Sequence, residues 1–166
     1  MPVDSFRYLP RSFRQGYESF PYQHDAPAWT PLTTPIGHAT IALLTSAGVY
    51  IEGEQPPFDL DRERANPTWG DPTYRLIPRD LPQDRVGVAH LHINNRDIRQ
   101  DLDVALPLRT FQQLEGEGRL GKLADQHYSF MGFQDSNLTD WRNEQAPEVV
   151  QRLKDAGVSA LVLAPA

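Results

Sequence analysis

The chain contains no cysteine. Disulfides, thiolate metal sites and thiol nucleophiles are therefore excluded within its residues. It lacks any apolar run near the roughly 18 residues that a membrane-spanning helix needs. The start, Met1 to Phe20, is polar and rich in arginine and aromatics, with no apolar segment of the secretory kind. Excess positive charge is missing too: 22 acidic against 16 basic residues leave a formal charge of −6. That balance disfavours nucleic acid and acidic membrane surfaces as main partners. No internal repeat is present. These absences together predict a soluble cytoplasmic protein.

What is present suits one folded domain. The 166 residues are 39% hydrophobic and 23% charged, enough to bury a core and too apolar for disorder. Proline is abundant, at 15 residues, and concentrates between Pro2 and Pro35 and between Pro56 and Pro82. Proline fixes φ and removes a donor, so both stretches should be irregular and extended. Aromatics are interspersed in the first: Phe6, Tyr8, Phe13, Tyr17, Phe20, Tyr22 and Trp29. Since aromatics gain by burial, residues 1–38 are expected to form an arm wrapping the domain or a neighbouring subunit. An oligomer is the corresponding expectation.

The regular part begins at Ala39. Ala39–Leu44 is a short apolar run closed by Thr45-Ser46-Ala47-Gly48, as in a fully buried strand. Arg85–Ile93 and Ser159–Leu163 read as two more such strands, and Tyr74–Ile77 as a short edge strand. Helical spacing runs through Pro107–Leu120 and Asp140–Ala156, the latter capped by Gly157. The alternation predicts a single α/β domain over 1–166 with a parallel, Rossmann-like or flavodoxin-like sheet.

In such sheets ligands bind outside the carboxyl ends of the strands. There the first strand offers Thr45, Ser46 and Gly48, whose turn is suited to a carboxylate or phosphate. The second ends in His90, His92, Asn94 and Asn95. Within a strand His90 and His92 share a face. With His127 or one of Asp97, Asp101 and Asp103 they would make a zinc or non-haem iron site. Proton transfer or substrate orientation is a second reading of His90, His92 and His127, and a purely structural role, such as a bond to a backbone carbonyl, is the third. The charged loop Pro56–Pro78 is either a solvated segment or a lid in which Arg62 or Arg64 clamps a substrate carboxylate. His127–Phe133 reads as a crevice wall or as core packing. His24 and His38 carry no assignable chemistry.

Several of these stretches together resemble the selenoprotein B family of the glycine/sarcosine/betaine and D-proline reductases. They are Val3–Arg11, Ser46-Ala47-Gly48, Pro57–Leu60, Thr68–Pro72, His90–Asn94 and His127–Gly132. The resemblance implies reductive cleavage of a small amino acid or amine, in a complex whose pyruvoyl-bearing partner subunit holds the substrate amine. It also implies a reactive cysteine or selenocysteine just after a strand ending V-L-x-P. Leu161–Pro165 matches that strand, and the residues given end at Ala166. None of them can perform the nucleophilic step. Either the reading frame continues past codon 166 with Cys or Sec, or this is a short form with other chemistry or with none. Three functions follow: a subunit or fragment of a reductase-like complex, a stand-alone metal enzyme, or a non-catalytic interaction subunit.

Overall fold

The computed structural model describes residues 30–66, 69–132, 134 and 138–166. The arm expected over 1–38 lies outside the described residues as far as position 29. The central strand is β1 (Thr40–Thr45), where the apolar run predicted it. Its neighbours are β7 (Ala160–Ala164) on one side and, on the other, β5 (Lys122–Leu123) followed by β6 (Gln126–Phe130). All of these run parallel to β1. The edge strand β3 (Tyr74–Pro78) pairs with β6 in the antiparallel sense. The sheet is therefore mixed, where a parallel one was expected. Among the described residues, no helix is long and apolar enough to cross a membrane.

Alternation along β1 divides the core. Ile41 and Leu43 face the larger cluster with Leu102, Leu106, Leu108 and Leu123. Leu44 faces the other side, where Tyr128, Phe130, Val149 and Leu153 pack. Helix α3 (Leu108–Gly116) supplies the first layer and α5 (Ala146–Asp155) the second. Short α4 (Leu138–Asp140) and a π-helical turn, Trp141–Gln145, precede α5. Pro147, in the first turn of α5, has no N–H to offer the preceding turn, so the change of helical pitch falls there.

The expected strand over Arg85–Ile93 is the main correction. Only β4 (Val86–Val88) forms, and it pairs antiparallel with β2 (Val49–Ile51) in a separate two-stranded sheet. Beyond Ala89 the ladder is replaced by bonds between backbone and side chains. The His92 N–H donates to His90 Nδ1 at 3.1 Å, and Asn95 Nδ2 donates to the His90 carbonyl at 3.1 Å. Such local bonds compete with a ladder. His90 and His92 thus sit on a loop leading to α2 (Arg96–Gln100). The proline-rich loop also contains a helix, α1 (Leu60–Ala65), capped by Asp59, which accepts the Arg62 N–H at 3.0 Å.

Candidate functional site

A small apolar cluster assembles the site. Phe58, Ala89 and Met131 are buried together, with Leu60 and Tyr50 against them. Ala89 precedes His90, Met131 precedes Gly132, and Leu60 lies one helical turn before Glu63. Burying Phe58 stabilises this cluster by about 2 kcal/mol. The same packing sets His90 against Gly132 at the carboxyl ends of β1 and β6, with Glu63 reaching His92 behind it.

His90 is 5% exposed. A backbone N–H can only donate, so His90 Nδ1 must accept from His92, and a neutral ring then carries its proton on Nε2. Nε2 makes no hydrogen bond of good geometry among the described residues, although the Ala166 backbone lies near enough to favour its proton. It lies against Gly132, where an added Cβ would stand 2.3 Å from it and 2.9 Å from the Ser46 carbonyl oxygen. Burial pushes the His90 pKa below the ordinary histidine range, His92 adds to that, and the Ala166 backbone opposes it. At neutral pH the ring is a neutral N–H donor placed where β1, β6 and β7 end. Ser46 ties that junction together, its Oγ accepting from Ala166 N at 2.9 Å. Behind His90, His92 Nε2 stands 2.8 Å from Oε1 of Glu63, which is 1% exposed while the His92 side chain is half exposed.

Ser46 and His90 therefore both lie against Gly132, although His90 comes from a loop and not from the end of a parallel strand. The other expected residues have different places. Thr45 is buried and its hydroxyl accepts from Ala47 N at 3.1 Å. Gly48 donates to the Phe130 carbonyl at 2.9 Å. With Val49 N bonded to Ser129 Oγ at 2.7 Å, the N–H groups of Ala47, Gly48 and Val49 are engaged internally and make no anion nest. Arg62 stacks on Trp69 at 4.3 Å, and Arg64 pairs with Asp61 at 2.7 Å on the exposed side of α1. Asn94 accepts from Arg96 N at 3.1 Å and shapes the start of α2. Glu63, by contrast, was missed: flanked by two arginines, it read as a solvated charge.

His127 does not join His90 and His92. Between β5 and β6 the pairing with β1 slips by two residues, and the Leu43 N–H left over donates to His127 Nδ1 at 3.0 Å. His127 and His90 thus both present an N–H where a metal needs a lone pair. Among the described residues no group of three or more His, Cys, Asp or Glu could hold a metal ion. The expected zinc or iron site does not fit this donor set.

Burial, followed by the charge of Arg79, lowers the His127 pKa from 6.5 to about 4, against the opposing Ala124 backbone and Asp125. The unfolded chain binds this proton below about 6.5, the folded chain only below about 4. Stability contributed by the neutral ring is therefore present above that window and lost as pH falls through it, by on the order of 3 kcal/mol. Urea midpoints measured from pH 7 to 4 should fall accordingly. In His127→Gln, whose carbonyl can still accept from Leu43, that slope should flatten; an unchanged slope would assign it to other groups.

The model of the glycine/sarcosine/betaine reductase selenoprotein B family matches residues 12–166. The chain belongs to that family. It is 31% identical over 137 residues to the D-proline reductase subunit gamma of Acetoanaerobium sticklandii, covering 82% of this chain and 52% of that protein. It is also 31% identical over 133 residues to the glycine reductase complex component B subunit gamma of Carboxydothermus hydrogenoformans, covering 80% of this chain and 29% of that protein. The chain thus spans about half the length of the first relative and under a third of the second. No solved structure matches it.

Proposed function

We propose that this chain is part of a subunit of a cytoplasmic reductase complex and binds a small amino acid or amine where β1, β6 and β7 end. The observation that carries the reading is the buried, unpartnered Nε2 of His90 at that junction. Burying a donor without a partner costs about 1–3 kcal/mol, so such a group calls for a ligand. Family membership supports the reaction class, and the relatives' names supply the probes, glycine and D-proline. Since the chain has no cysteine, the reducing residue comes from outside residues 1–166. A wholly apolar groove of about 260 Å³ between α5 and β7 supports assembly with a partner. Leu163 on its rim is 64% exposed.

Titrating the ¹⁵N-labelled chain with glycine, sarcosine, betaine or D-proline tests the ligand class. At least one should shift the amides of Ser46, Gly132 and His92 with a Kd of about 1 mM or tighter, and no turnover should accompany binding. Silence at those amides with every probe sinks the binding role.

A further inference from the structure

Glu63 is among the most deeply buried side chains of the domain, yet its partner is a histidine half in water. That is a poor way to gain stability, since taking a carboxylate out of water costs several kcal/mol that an exposed imidazole returns only in part. The arrangement makes sense as orientation. Glu63 Oε1 holds His92 Nε2 at 2.8 Å, the His92 backbone N–H holds His90 Nδ1 at 3.1 Å, and Asn95 Nδ2 holds the His90 carbonyl at 3.1 Å. Each contact restrains the next, and the series ends at His90 Nε2.

We infer that Glu63 is a positioning residue which, through His92, locks His90 as the Nε2–H tautomer and so presents a hydrogen-bond donor for the carboxylate of the bound amino acid. The inference rests on the strand-end binding site proposed above. It adds a direction to the chemistry. A ring whose Nδ1 accepts from backbone and whose Nε2 carries the proton can donate to an anionic oxygen, and it cannot serve as a base or metal ligand without the loop rearranging. Gly132 belongs to the same device. Its Cα hydrogen lies where any side chain would strike His90 Nε2 and the Ser46 carbonyl.

Long-range ¹H–¹⁵N spectra of the full chain with labelled histidine side chains report each tautomer directly. His90 should show the Nε2–H form, and glycine or acetate should move its Nε2 signal while ethylamine, a bare amine, should not. In Glu63→Leu the His90 signals should average between tautomers and the affinity for glycine should drop about tenfold. Glu63→Gln, whose carbonyl can still accept from His92, should keep most of both. His127, held independently by Leu43, should stay Nε2–H in each variant and reports an intact fold. An Nδ1–H form of His90 in the unaltered chain, or a Glu63→Leu protein with unchanged tautomer and affinity, overturns the positioning role even if glycine still shifts Ser46 and Gly132. A response to ethylamine in place of acetate overturns the carboxylate. The expected tautomer with no response to glycine or acetate overturns the binding site itself and the ligand class with it.

Discussion

Gly48→Ala should cost about 3 kcal/mol of folding stability, or roughly 10 °C in Tm for a domain of this size. Two effects add. Gly48 has φ +66°, where any side chain is strained, and a Cβ there would stand 2.1 Å from the Ala89 carbonyl oxygen. That oxygen is backbone and has no rotamer to escape into. A control separates the two effects. Gly157 has φ +65° with nothing within 4 Å of its Cβ position, so Gly157→Ala should cost only the strain, about 1 kcal/mol. The difference between the variants measures the contact. It should also be felt at the site, because Ala89 N donates to the Gly48 carbonyl at 2.9 Å and the next residue is His90. If the two variants lose the same stability, the close approach of β1's exit to the histidine loop is wrong.

That close approach is where the sequence was least legible. β1, β3 and β7 were readable because each is a short apolar run between turn residues, and the helices α3 and α5 because their apolar residues recur at helical spacing. The alternation in Val88-Ala89-His90-Leu91-His92-Ile93 also looks like a strand. Periodicity reports which side chains could share a face, but not what the backbone N–H groups bond to. Here the His92 N–H found an imidazole, and the strand ended at Val88. β5 and β6 were hidden for a related reason, since the slip in register between them is satisfied by the His127 ring. His90 reaches the carboxyl end of β1 from a loop after β4, which pairs antiparallel in a separate sheet, so the parallel-sheet reasoning that singled it out does not apply to it. Glu63 was readable in principle: in Leu60-Asp61-Arg62-Glu63-Arg64, position 63 is three residues after the one apolar side chain of the turn and shares its face. Charge alternation concealed that spacing.

The second large effect concerns the same carboxylate. His92→Ala should destabilise the protein by about 3 kcal/mol, since it leaves the buried Glu63 carboxyl without its partner. The reverse deletion is not symmetrical. Glu63→Leu removes the buried carboxyl group, sets an apolar group on the Leu60 face of α1, and leaves His92 half exposed. It should cost no more than about 1 kcal/mol. In the double variant the His92 deletion should cost clearly less than in the parent, giving a coupling energy of about 2 kcal/mol from urea midpoints at constant m. Equal single losses that simply add would show that the two side chains do not interact in the folded protein, and the positioning series would lose its first link. A large coupling together with a well-tolerated Glu63→Leu would show that the carboxylate contributes little to stability. Its place one bond away from the loop that orients His90 then has to be explained by what His90 does.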